Sequence, residues 1–203
     1  MKTINLLFFS TILLACDDSP VNIESDNTHA NTYLPLQIGN SWIFESTNKD
    51  LNDSHYFKRV TATVDLNDHT YYEIISGWGT AVENILDTAY YRVDDNGFVY
   101  ILRRANNSEE NRFRLYGQDG DAWSYPLDNY GEANVSLSIT TLYIGIKKLK
   151  ACKAYYLDVA GMADEEYTIT LASGIGFVKE YSDAWGQGSI LMKATINGRE
   201  INF

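Results

Sequence analysis

The chain has 203 residues, 45% of them hydrophobic and 21% charged, which suits a folded domain of ordinary size and excludes wholesale disorder. Its 16 Lys and Arg against 27 Asp and Glu leave a formal charge of −11. That balance argues against nucleic acid as a partner, because such binders need a basic stripe to displace counterions.

The first predicted element is a leader. Lys2 precedes a nine-residue, mainly apolar run from Leu6 to Leu14, and Ala15 closes it before a break in polarity. Charge, length and small closing residue predict a secretory signal peptide over residues 1–15. The run is about half the ~20 residues that a bilayer-spanning helix needs. Leu13-Leu14-Ala15-Cys16 resembles a bacterial lipobox. The resemblance implies a diacylglyceryl thioether on Cys16, cleavage after Ala15 and acylation of the new amino group. Several acyl chains, each burying CH₂ groups at about 0.8 kcal/mol, hold a protein durably where one chain is marginal. A lipidated Cys16 leaves Cys152 without an intramolecular disulfide partner, so Cys152 reads as a small buried hydrophobe. An acidic pair, Asp17-Asp18, follows the anchor. It resembles an inner-membrane retention signal in enteric bacteria and a surface-export signal in other lineages, so the membrane stays undecided.

Residues 16–32 then read as the lipidated cysteine and a flexible acidic tether, with His29 solvated within it. Residues 33–203 read as a single β domain. Tyr56, Lys58, Val60, Ala62, Val64 and Leu66 share one side of a predicted strand. Val135, Leu137 and Ile139 form another such row, and so do Tyr167, Ile169 and Leu171. Ile190, Met192, Ala194 and Ile196 alternate with Leu191, Lys193 and Thr195. This period of two marks strands with one face on a core and one in water.

Between the runs lie turn signals: Asn67-Asp68, Asp94-Asp95-Asn96-Gly97, Gln118-Asp119-Gly120-Asp121 and Asn197-Gly198. Asn-Gly pairs accept the positive φ of tight hairpins. Thr80 to Leu86 allows one or two helical turns and no other segment shows helical spacing. Together with the 8 Phe, 4 Trp and 15 Tyr, this predicts an all-β chain. The expected architecture is an antiparallel meander, forming a sandwich or a strongly curved barrel-like sheet.

Two segments carry a resemblance. Tyr33-Leu34-Pro35-Leu36-Gln37-Ile38-Gly39-Asn40-Ser41-Trp42 and Gly174-Ile175-Gly176-Phe177-Val178 resemble the opening and closing segments of a group of uncharacterised bacterial lipoproteins. The resemblance implies a β-rich envelope domain and brings no activity. Physically, Pro35 sets a strand entry, Trp42 and Phe44 point to the core, and the two glycines allow a bend or a close backbone approach.

Catalytic motifs are scarce, with no nucleophile elbow, paired-histidine zinc motif or phosphate loop. His55 and His69 lie far apart. The carboxylates Asp94, Asp95, Asp119, Asp121, Asp164, Glu165 and Glu166 are explained mainly by turn chemistry. Trp78, Trp123 and Trp185 sit near glycines, with Tyr125, Tyr130 and Tyr181 close in sequence. Trp78, Trp123, Trp185 and Tyr125 are therefore the candidate stacking residues for a glycan or a protein partner. The competing reading makes them covers for the ends of the barrel or sandwich. Arg103-Arg104, Arg112, Arg114, Lys147, Lys148, Lys150 and Lys153 read as solvated faces, with a patch for an anionic glycan or lipid headgroup as the lesser alternative.

The sequence thus predicts a membrane-anchored envelope lipoprotein, a non-catalytic binding or assembly module without a cofactor or metal. Its alternatives are a hydrolase using paired carboxylates and a carrier of an apolar ligand in a curved sheet.

Overall fold

The computed structural model describes residues 33–48, 55–80, 84–103, 108–127, 131–162 and 164–203. The leader, Cys16, the tether and Tyr130 lie outside them. Among the described residues thirteen antiparallel strands join one sheet. The first half holds β1 (Ser41–Ser46), β2 (His55–Leu66), β3 (His69–Trp78), β4 (Ile85–Val93), β5 (Phe98–Arg103) and β6 (Ser108–Arg114). The second holds β7 (Ala122–Leu127), β8 (Gly131–Ile144), β9 (Lys147–Val159), β10 (Tyr167–Ala172), β11 (Gly176–Ser182), β12 (Gln187–Ile196) and β13 (Arg199–Asn202). Ile85 and Leu86 open β4, so the helical turns expected there are replaced by extended chain in the described part of Thr80–Leu86.

In space the strands run β6-β5-β4-β3-β2-β1-β12-β11-β10-β9-β8-β7, with β13 paired to β12. Two meanders therefore meet where β1 pairs with β12, which joins Ser41 to Thr195. The free edges β6 and β7 are consecutive in sequence and come together through side chains. Trp123 Nε1 donates to the Asn111 carbonyl at 2.9 Å, and the Tyr155 hydroxyl donates to the Arg114 carbonyl at 3.0 Å. The result is a nearly closed barrel-like sheet, the second of the two architectures expected.

The turns occupy the positions that the sequence marks. Asn67 and Asp68 both have positive φ between β2 and β3, and Asn197 and Gly198 do so between β12 and β13. The chain enters at Tyr33, and the turns at 67–68, 94–97, 145–146, 173–175 and 197–198 share this entry end. Strand ends at Ser46, His55, Trp78, Ile85, Ser182 and Gln187 mark the far end.

Two bulges change the expected faces. In β2 the register shifts between Val60 and Ala62, so Val60 faces the main core while Val64 and Leu66 pack with Tyr71, Tyr90 and Leu102 in a separate cluster. An extra residue in one strand reverses the parity beyond it. In β12, Phe44 pairs with Leu191 and Ile43 with Lys193, which brings Leu191 rather than Met192 to the core beside Ala194.

The two ends of the domain meet at Trp42. Its Nε1 donates to the Ile175 carbonyl at 2.6 Å, and its ring stands edge-on to Phe177 at 5.3 Å. Gly176 has φ +92°, and a Cβ there would lie 2.9 Å from the indole. Glycine is required at this position for both reasons.

Candidate functional site

The far end carries a recess of about 280 Å³. Its wall is built from four separate strands: Tyr56 on β2, Trp78 on β3, Tyr167 on β10 and Glu180 on β11, with Ser46 and Gln187 at the rim. Trp78 stands edge-on to Tyr56 at 5.7 Å and is 41% exposed. Gly188 also lines the recess, and a Cβ on it would lie 2.2 Å from the Glu180 carbonyl oxygen, so glycine lets β11 and β12 close together here.

Tyr56, Tyr167 and Glu180 also line an inner chamber of about 150 Å³, together with Lys58, Asp87 and Arg112. Strand register creates this chamber, since Lys58, Ser76 and Asp87 lie abreast on β2, β3 and β4. Lys58 Nζ donates to Glu180 Oε1 and lies 4.5 Å from the centre of the Phe177 ring. The Tyr167 hydroxyl donates to Glu180 Oε2 at 2.8 Å. Burial disfavours the Lys58 charge, but the Glu180 carboxylate outweighs it and holds the lysine pKa above its usual range. Burial, reinforced by Glu180, pushes the Tyr167 phenol well above the ordinary tyrosine range, so it stays a protonated donor. Deeper in, Arg112 Nε donates to Glu110 Oε2 at 2.7 Å.

These groups have consequences for chemistry. Asp87 and Glu180 both line the chamber. Both Glu180 oxygens are engaged, one by Lys58 and one by Tyr167. The main core is filled by side chains such as Trp42, Phe44, Leu171 and Phe177, and the inner chamber is small and polar. The recess instead offers aromatic faces beside hydrogen-bonding groups.

The candidate stacking residues separate. Trp78 and Trp185 are exposed, the latter by 66% in the β11–β12 turn, at the same far end. Tyr125 is only 4% exposed and belongs to the core, and Trp123 is half-buried with its ring 6.1 Å from Tyr155 and its face 4.6 Å from the Arg114 guanidinium. Both are corrections to the expected stacking set. They follow from the pleat of β7, which turns Trp123 and Tyr125 inward and sends Ser124 and Pro126 to solvent.

The carboxylates of the entry-end turns hold backbone. Asp94 Oδ1 accepts from Phe98 N at 2.8 Å, Asp121 Oδ2 from Gln118 N at 2.8 Å, and Asp119 Oδ1 from Ile139 N at 2.7 Å. His55 and His69 lie at opposite ends of the barrel. Among the described residues no group of three His, Cys, Asp or Glu is placed to hold a metal ion.

Lys58, Tyr167 and Glu180 went unselected as site residues in the sequence, though one signal pointed to them: Lys58 sits in the apolar row between Tyr56 and Val60. Four basic residues read as solvated, Arg112, Arg114, Lys147 and Lys153, are buried or half-buried. Lys153 donates to the Gly117 carbonyl at 2.5 Å beneath the Tyr33 ring, and Arg112 lines the chamber.

The fold and site define a class: an all-β, nearly closed antiparallel barrel with an ion-paired interior and an aromatic recess at the end opposite chain entry. No family model and no curated protein matches the chain. Two solved structures are similar to it. One is a candidate exported protein with a YmcC-like fold from Bacteroides fragilis, with 12% identity and a TM-score of 0.45 over 84% of this chain and 99% of that one. The other is a candidate lipoprotein from Parabacteroides distasonis, with 13% identity and a TM-score of 0.41 over 80% of this chain and 98% of that one.

Proposed function

We propose that the chain is a bacterial envelope lipoprotein, lipidated at Cys16, whose far end is a non-catalytic module that binds a glycan. The leader, the lipobox-like Leu13-Leu14-Ala15-Cys16 and the resemblance of the two end segments to uncharacterised lipoproteins support the address. The observation that carries the binding role is the position and make-up of the recess. It lies opposite Tyr33, so an anchor at Cys16 draws the entry end to the bilayer and turns Trp78 outward. Trp78 and Tyr56 offer flat apolar faces, while Ser46, Gln187 and Ser189 supply hydrogen-bonding groups for hydroxyls.

The test uses the purified full-length, processed protein. Intact mass is expected to show a diacylglyceryl group on Cys16, and an unmodified thiol there overturns the address. On a glycan array the protein is expected to retain a defined set of saccharides, and Trp78→Ala is expected to weaken that binding by at least about tenfold. Retention unchanged by Trp78→Ala overturns the recess as the binding site.

A further inference from the structure

The entry end carries an unusual surface. From Ile139 to Lys150 the chain holds three lysines and neither Asp nor Glu, although acids outnumber bases in the whole chain. This stretch is the end of the β8–β9 hairpin. β7 pairs with β8 only as far as Ser136, and β10 pairs with β9 only down to Lys153. Beyond those points the hairpin continues as a two-stranded ribbon.

One side of the ribbon, with Ile144 and Leu149, packs on the core. The other side presents Tyr143, Lys148 and Lys150 to solvent, with Tyr143 62% exposed. Ile146, at the tip, is 98% exposed. Gly145 takes φ +56° to make the turn that leaves Ile146 there. A bare isoleucine beside a tyrosine and lysines has the composition of a surface that meets a bilayer, where apolar groups enter and cations remain at the headgroups.

We infer that this ribbon tip docks on an anionic lipid surface, seating the entry end of the barrel flat against the membrane. The inference rests on the anchored reading of Cys16. Two observations choose a bilayer as the occupant. The first is where the chain leaves the described structure: the Tyr33 hydroxyl donates to the Ala151 carbonyl at 2.9 Å, on the ribbon itself. The 17 residues from Cys16 to Thr32 reach at most about 60 Å, so a lipidated Cys16 keeps the tip within that reach of the bilayer. The second is charge complementarity, since Lys148 and Lys150 stand exposed on a ribbon with no Asp or Glu of its own, and each lysine near anionic headgroups favours partitioning by about fivefold.

The lipid-modified full chain, carrying Ile146→Cys labelled with an environment-sensitive dye, is reconstituted into vesicles of phosphatidylcholine with or without phosphatidylglycerol. Flotation with the vesicles reports the anchor, and quenching of the dye by lipid-borne quenchers reports docking. The expected result is strong quenching with phosphatidylglycerol, reduced at least about tenfold in initial efficiency by Lys148→Glu with Lys150→Glu, and reversed by high salt. A dye at Trp185→Cys is expected to remain unquenched. Flotation with no quenching at position 146 overturns the docking and leaves the anchor standing. Shielding that follows protein density rather than lipid charge assigns the tip to a second copy and also overturns it. Failure to float removes the anchor and the inference with it.

Discussion

Lys58 and Cys152 show how single side chains settle inside this barrel. Lys58 is nearly buried, and a lone ammonium there would lose its proton; Glu180 on the opposite meander keeps it charged. The pair spans from β2 to β11 across β1 and β12, so it aligns the recess walls more than it adds stability. Cys152 is fully buried, its Sγ 3.5 Å from the Leu149 carbonyl, and burial pushes its thiol up to about 11. Because the folded pKa lies above the unfolded value of about 8.5, the unfolded chain releases its proton first as pH rises. Its contribution to stability is therefore complete below about pH 8.5 and is lost as pH climbs toward 11. Urea melts across this range are expected to show that loss, and Cys152→Ala is expected to flatten its share while costing about 1 kcal/mol at neutral pH. The native thiol is also expected to resist iodoacetamide at neutral pH, and stoichiometric labelling of folded protein would contradict it.

At the scale of elements, bulges and edges decide what the pleat alone leaves open. The period-two rows in β8 and β10 hold at Val135, Leu137, Ile169 and Leu171, which are all buried, and fail at Ile139, 40% exposed beyond the end of the β7 pairing. In β2 and β12 the same rule fails past a bulge, because an inserted residue reverses every side chain beyond it. The edges meet without a shared ladder. The β6 carbonyls of Asn111 and Arg114 are capped by the Trp123 indole and the Tyr155 hydroxyl, and the Phe113 and Tyr155 rings stand 4.9 Å apart. Trp123→Phe keeps an aromatic ring in the wall and removes the indole donor, so it is expected to cost about 1–2 kcal/mol. The expected signature is local: amides of β5 and β6 exchange faster while those of β9 and β10 hold their protection. Uniform acceleration across the sheet would show that Trp123 does not act at the seam.

For the molecule as a whole, the pairing of β1 with β12 makes one cooperative body from two meanders. Leu191 lies on that junction, 1% exposed and opposite Phe44. Leu191→Ala is expected to cost about 2–5 kcal/mol and to unfold both meanders in a single transition. Tryptophan fluorescence and far-ultraviolet circular dichroism should trace coincident curves, and separate midpoints would show that the halves fold independently. The same architecture sets the polarity of the molecule, with chain entry and the basic ribbon at one end and the aromatic recess at the other.

Local chemistry was legible in the sequence. Alternation gives strands, and Asn-Gly pairs give hairpins, because each depends on residues a few positions apart. The tertiary structure alone decided which face of a bulged strand meets the core, that β6 and β7 close on each other, and that Tyr125 is hidden while Trp78 is open. It also gathered Tyr56 and Lys58 with Tyr167 and Glu180, a pair more than a hundred residues further along the chain, into one site. Their meeting is set by strand register and order, which arise from packing between distant segments and leave only a faint local trace, a lysine in an apolar row.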